Sequence, residues 1–341
     1  MFDNKKIFHS DFEIETIPKI SSTAKPSFIV TVDTEADNAW DNPTEINIEN
    51  MKAIPRFQDL CEKYDITPTY LVAYECATRD EAIKVLKPIL DRGKCEIGHH
   101  LHVWSTPPFQ RDNGSGVDLD WIQAYQSELP DSLFFEKSEV LKKAIEENYG
   151  VSPKSHRAGR LGIDKRTIKW LMENDFTVDS SILPLINYSD KEDRNSNGPN
   201  FYFEENDPYI LKDSGKKIFE IPISIDDTPT TINYLLKIAV AFGIIESRIA
   251  YKILRKLGGG TSLVPSTDFT KEMYARTLEK QQLLRRPLTT LLLHSTEVSY
   301  GHSPLTSTKE GLENYFNTLE NTFNLAKKNG FQNKKLMDAL I

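Results

Sequence analysis

Four short stretches place acidic, histidine and arginine side chains where extended segments would end. FIVTVDTE (28–35) runs from apolar residues straight into Asp33 and Glu35. Residues two apart on an extended chain point the same way, so both carboxylates can enter one mouth. The alternative is that they are solvated in a polar loop, as is expected of Asp37. HHLHVW (99–104) holds three of the seven histidines of the chain. His100 and His102 can face one side of an extended segment, as a divalent metal requires, with His99 turned away, either structural or supporting the ligands from behind. A carboxylate at 33 or 35 would be the third ligand, and three protein ligands with one open position describe a catalytic centre. In SHRAGRLG (155–162), Arg157 could orient a carboxylate or meet a developing oxyanion, and Arg160 is a second candidate for that role. His294 ends TTLLLH and is either a satisfied core residue or, opposite an activated water, the general acid. Glu297 could fix its tautomer or cap the loop.

Such groups converge only if a scaffold brings separate strand ends together. The chain alternates strand-like and helix-like periods. FIVTV (28–32), ITPTYLVAY (66–74), CEIG (95–98), SHR, FTVDSSI (176–182), KIFEIPISI (217–225) and TTLLLHS (289–295) read as strands. Helical spacing is expected over 48–64 with Pro55 near its start, over 81–93 closed by Gly93, and over 134–149 stopped by Gly150. Further helices are expected from Asp164, over 232–257, and after a capping box at Ser307 and Glu310. Repeated β-then-α units predict a mostly parallel sheet with helices outside, and six or seven of them favour a barrel. In such folds functional groups sit at the carboxyl ends of the strands, where all four stretches fall. The polar stretches 105–133 and 187–209 are expected to be long loop excursions.

The 341 residues are 39% hydrophobic and 27% charged, with mean hydropathy −0.46 and net charge −8. No global positive field is present to recruit nucleic acid. Cys61, Cys76 and Cys95 form no CxxC pair and read as reduced thiols, and the N-terminal stretch lacks a secretory h-region; a cytoplasmic protein is expected. No stretch is long and apolar enough for a membrane span. ESRIAYKILRKLGGG (246–260) sets Arg248, Lys252, Arg255 and Lys256 beside an apolar helix face. It reads as a solvated amphipathic helix or as a contact with a membrane surface or a lipid-linked glycan phosphate.

TVDTE (31–35), EIGHHLHVW (96–104), SHRAG (155–159) and LLLHS (291–295) resemble, in order, the signatures of the polysaccharide deacetylase family, carbohydrate esterase family 4. The resemblance spans about residues 27–300 and is similar to a divergent branch carrying HLHxW and HSxE forms. It implies an α/β fold, a deformed (β/α)7 barrel over 27–341 preceded by an N-terminal arm at 1–26. It implies a hydrolase that uses a divalent metal, zinc being the expected ion, to remove N- or O-acetyl groups from a glycan in surface-polysaccharide metabolism. Asp33 falls on the catalytic base, His100 on the first metal histidine, Arg157 on the residue that orients the base, and His294 on the general acid. Two positions depart from the pattern. Thr34 stands where the family keeps a metal-binding Asp, and Trp104 where it keeps a second metal histidine. His102 with Glu35 or Asp33 would then complete the metal set, and Trp104, Glu297 and Arg160 are assigned to the sugar side, with Trp121, Tyr125, Phe201 and Tyr202 either on its rim or forming the cores of the loops that carry them. Competing expectations are a metal-free C–N hydrolase on the same scaffold and a non-catalytic carbohydrate-binding relative.

Overall fold

The structure is a computed structural model that describes residues 5–21, 23–37, 45–112, 114–189, 197–268 and 270–339. Its first strands are β1 (Glu13–Thr16), β2 (Ser27–Thr34), β3 (Thr69–Val72), β4 (Glu96–Leu101) and β5 (Ser155–Ala158). Then come β6 (Val178–Asp179), β7 (Tyr209–Asp213), β8 (Lys216–Glu220), β9 (Leu288–His294) and β10 (Gln332–Asn333). Seven of these run parallel in the order β9–β2–β3–β4–β5–β6–β8. Every residue of β2 is buried, as its unbroken apolar run implies for a central parallel strand.

The gap between β8 and β9 is closed without a regular ladder. Ser224 N–H donates to Thr290 O (3.1 Å), Leu263 N–H to Ser224 O (2.8 Å) and Leu292 N–H to Leu263 O (2.9 Å). The seam is irregular, unlike the ladders that join the seven strands. The antiparallel pair β7–β8 extends the sheet, and β1 pairs with β7, while Phe8 and Phe12 join the main core. Glu13–Thr16 is therefore stitched to the sheet.

Helices cover the outer face: α1 (Ile54–Lys63), α2 (Tyr74–Thr78), α3 (Asp80–Asp91), α4 (Asp131–Tyr149) and α5 (Lys165–Glu173). They continue as α6 (Thr230–Ala241), α7 (Ser247–Lys256), α8 (Lys271–Leu283) and α9 (Lys309–Lys328). Pro55 sits in the first turn of α1, where its missing N–H leaves no bond unmade. Gly150 ends α4 at φ 72°. The helix expected over 232–257 is two helices, because Gly243 at φ 68° ends the first and Ile244 N–H bonds back to Ala239 O. Ser307 does not cap α9; Thr308 does, accepting from Gly311 N–H at 2.9 Å.

The excursion at 105–133 is organised around a buried ion pair. Lys137 of α4 donates to Thr106 O (2.6 Å) and Pro108 O (2.7 Å) and meets Asp118 at 3.3 Å, with neither charged side chain exposed. Within the other excursion, 190–196 lies outside the described residues. Cys61, Cys76 and Cys95 are buried and unpaired with one another.

Candidate metal centre and active site

Neighbouring strands deliver the four groups to one place. β2 and β9 pair with Asp33 opposite His294, and β4 and β5 pair with His100 opposite Arg157. β4 runs on to Leu101, so His99 and His100 lie within the strand and His102 directly follows it. Alternation then separates the histidines. His99 turns outward, donates to Ser138 O (3.2 Å) and packs on His156, Trp170 and Phe176; burial holds its pKa well below the ordinary value, as a neutral core residue.

Asp33 is held by one side chain. Arg157, fully buried, donates from Nη1 to Asp33 Oδ1 (2.7 Å) and to Thr31 Oγ1 (2.9 Å), while its Nε and Nη2 hold Ser180. Arg157 therefore grips the Asp33 carboxylate from outside the cavity lining. Burial alone would raise the Asp33 carboxyl, but Arg157, His100 and His294 outweigh it and keep the pKa below the ordinary value. The free oxygen, Oδ2, faces His100 Nε2 and His294 Nε2, each at 3.9 Å.

Glu35, His100 and His102 form a second, buried group whose donor atoms all lie within 4.8 Å of one another. Thr34 points away and donates to Val32 O (3.0 Å), so the carboxylate that meets the imidazoles arrives one residue later, on Glu35. Glu35 Oε2 is 3.1 Å from His102 Nε2 and 3.7 Å from His100 Nε2. Ligands at about 2.1 Å in tetrahedral geometry set their donors roughly 3.4 Å apart, so this set fits a divalent ion such as zinc. His100 Nδ1–H donates to Arg157 O (2.9 Å), which fixes the tautomer that leaves Nε2 a lone pair toward the group. His102 is held by Trp104, stacked on it with centroids 4.3 Å apart. The Glu35 backbone is clamped as well: its N–H donates to Ser295 Oγ (3.2 Å) and its carbonyl accepts from Asn50 Nδ2 (3.0 Å). Burial would raise the Glu35 carboxyl, but His102 and His100 hold it far below the ordinary range.

His294 is backed by a chain of polar contacts. Its Nδ1–H donates to Glu297 Oε1 (3.1 Å), and Glu297 Oε2 accepts from the His294 N–H (3.0 Å) and from Tyr315 Oη (2.8 Å). Glu297, assigned to the sugar side, borders the cavity but has both oxygens engaged behind His294. Burial lowers the His294 pKa, yet Glu297 with Glu35 and Asp33 carries it up to about 9. Near neutrality Asp33 is thus a carboxylate and His294 an imidazolium, a charged pair 3.9 Å apart.

Asp33, Glu35, His100, His102, His294 and Glu297 open on a cavity of about 670 Å³. Trp104, Tyr125 and Arg160 line it as expected; Arg160 stacks on the Tyr125 ring at 4.5 Å and donates to Gln123 O. Arg160 and Leu161 both adopt left-handed backbone, φ 55° and 60°, directly after Gly159. Non-glycine residues held there are concentrated at functional sites. Phe201 and Tyr202 are not on the rim: both are fully buried in core clusters, and Trp121 packs on the main core. Asp37 is not solvated; it is buried and accepts from the Glu49 and Asn50 N–H groups, each at 2.8 Å. Sequence reasoning missed Leu183, Tyr188 and Val264–Ser266 on the cavity wall. Leu183 lies just beyond the strand expected over 176–182, the one signal that could have found it.

The chain has the (β/α) barrel-type fold of the polysaccharide deacetylases. A protein from Mycobacterium smegmatis assigned as a polysaccharide deacetylase superposes with TM-score 0.51 at 12% identity, over 94% of this chain and 98% of its own. The 4-α-glucanotransferase of Thermococcus litoralis gives TM-score 0.50 at 11% identity, over 93% of this chain, which spans 40% of that enzyme. A family 4 acetyl xylan esterase from Clostridium thermocellum, solved with a cobalt ion, gives TM-score 0.40 at 14% identity over 92% and 89% of the two chains. No family model and no curated protein matches the sequence. One fold carries differently named activities here, so activity has to be argued from the site.

Proposed function

We propose that this chain is a metal-dependent hydrolase that removes an acetyl group from an N- or O-acetylated glycan or sugar intermediate. The observation that carries the reading is the buried Glu35–His100–His102 group, flanked by a carboxylate and an imidazolium at the mouth of a sugar-sized cavity. When bound, a divalent ion supplies Lewis acidity to the acyl carbonyl and acidifies the attacking water. Asp33, ionised and fixed by Arg157, accepts the proton of that water as its oxygen bonds to the acyl carbon. His294 then donates its Nε2 proton to the departing nitrogen or oxygen as the acyl bond breaks, giving acetate and the free amine or hydroxyl. Trp104, Tyr125 and Arg160 are the wall against which a sugar ring would lie, stacking and hydrogen-bonding in turn.

The direct 3.1 Å contact between His102 and Glu35 also supports a second reading, a metal-free C–N hydrolase, since the pair satisfies itself without an ion. Acetate release from a panel of N- and O-acetylated oligosaccharides separates the two. The expected result is release that stops on chelation, returns with added divalent ion, and falls roughly 10²- to 10⁴-fold in Asp33→Asn. Release that persists in full after chelation favours the second reading. No release from any acetylated glycan, or full activity in Asp33→Asn, removes the first.

A further inference from the structure

The α6–α7 hairpin turns apolar side chains outward. Phe242 and Ile244, on either side of Gly243, are 71% and 72% exposed. Tyr234 and Leu235 on α6, and Ile249, Ile253 and Leu257 at and beyond α7, are exposed too. Seven of the ten exposed large hydrophobics among the described residues therefore fall within 234–257, a patch and not a scatter. The opposite sides of these helices are already engaged. Ala250 packs with Tyr202 and Phe203, and Leu254 with Leu185 and Ile225. α7 is thus apolar on its inner face and again on part of its outer face, which packing against the barrel does not require.

Charge follows the same geometry. Ile249, Ile253 and Leu257 recur every fourth residue, and Arg248, Lys252 and Lys256 repeat one position earlier, all exposed. The two stripes run side by side along the helix. Residues 230–257 carry five cations against one acid, Glu246, in a chain whose net charge is −8; Arg248, Lys252 and Lys256 are exposed, while Lys237 turns inward to Phe203 O and Glu204 O. A local cationic and apolar face on an acidic protein complements an anionic bilayer, into which apolar side chains insert while lysine and arginine meet the headgroups. It suits a second copy of the chain poorly, because a two-fold contact through this patch would set the cation stripe close to itself. Among the described residues no helix is long and apolar enough to cross a membrane.

We infer that the α6–α7 hairpin is a membrane-docking surface that lays Phe242, Ile244, Ile249, Ile253 and Leu257 into the interface of an anionic bilayer, with Arg248, Lys252 and Lys256 on its headgroups. The chain leaving α7 supplies Val264, Pro265 and Ser266 to the cavity wall, so the docking face and the cavity rim are joined by a short segment. The inference does not depend on the reaction catalysed. Co-sedimentation of the full chain with phosphatidylcholine vesicles containing about 30% phosphatidylserine, against phosphatidylcholine alone, tests it. The expected result is binding to the anionic vesicles that drops at least about 10-fold in Phe242→Ser/Ile244→Ser and on the order of 100-fold in Arg248→Glu/Lys252→Glu/Lys256→Glu. Both variants should keep the wild-type melting curve, since these side chains lie outside the core. Absence of binding to anionic vesicles at low salt overturns the inference, as does equal binding by both variants. A dimer that Phe242→Ser/Ile244→Ser dissociates, without vesicle binding, would assign the patch to a second copy and overturn it as well.

Discussion

Replacing Glu297 with glutamine removes one negative charge from behind His294 and keeps the side chain's shape. In the folded protein the His294 pKa stands at about 9 against an ordinary 6.5. That difference is worth about 3.4 kcal/mol in favour of the imidazolium, although burial alone would favour the neutral ring. Glu297, in contact at 3.1 Å, is the largest favourable contribution, ahead of Glu35 and Asp33. Without it the opposing burial remains, and the pKa should fall by about 2 units or more in Glu297→Gln. The sign for stability follows. The wild-type contribution is complete below about pH 6.5 and is lost as pH rises through about 9, so the variant is less stable than wild type at pH 6 and the gap closes toward pH 10. The assay is proton NMR of the imidazole Cε1–H signals in metal-stripped protein, with the His294 signal assigned by its loss in His294→Asn. A wild-type His294 that titrates near 6.5, or a variant that still titrates near 9, would refute the reasoning.

Three other perturbations have defined outcomes. A methyl group on Gly159 would lie 2.3 Å from Leu101 O and 2.7 Å from His102 Cδ2, so Gly159→Ala should cost about 1–3 kcal/mol in urea denaturation and weaken divalent-ion binding roughly 10- to 100-fold in chelator competition. Lys137→Met leaves Asp118 buried without its cation; a loss of about 3–5 kcal/mol and new protease cleavage within 105–133 are expected. Burial pushes the Glu204 carboxyl up to about 7 despite its bond from the Ile7 N–H, so the fold loses stability as pH rises from about 4.5 to 7. Glu204→Gln should therefore be the more stable protein at pH 8, by up to about 3 kcal/mol, with the advantage gone near pH 5.

The parts of the site that could be read from the sequence are those fixed by strand periodicity. Asp33 near the end of β2 and Glu35 just beyond it both reach the cavity because they are two apart on an extended chain, and His99 opposes His100 by the same alternation. Gly150 and Pro55 marked helix ends through backbone geometry alone. What could not be read depends on partners far away in the chain. Asp37 looks like any loop acid until the N–H groups of Glu49 and Asn50 arrive beside it. Phe201 and Tyr202 sit in a polar stretch, yet core clusters take them in, because a tertiary pocket and not local pattern sets their burial. The expected helix over 232–257 kept its apolar period across Gly243, and only the left-handed backbone there divides it. Thr34 was the departure that mattered most. Its side chain turns away to Val32 O, and the same alternation that removes it from the site brings Glu35 in.

Metal content is the most direct test of the centre. Elemental analysis of the full chain, purified with and without added divalent ion, should find one ion per molecule in the wild type. It should find the ion lost from His102→Ala and from Glu35→Gln, with Asp33→Asn retaining it. Protein that holds no ion under any loading condition, or that keeps it fully in both His102→Ala and Glu35→Gln, would contradict a metal centre built on Glu35, His100 and His102.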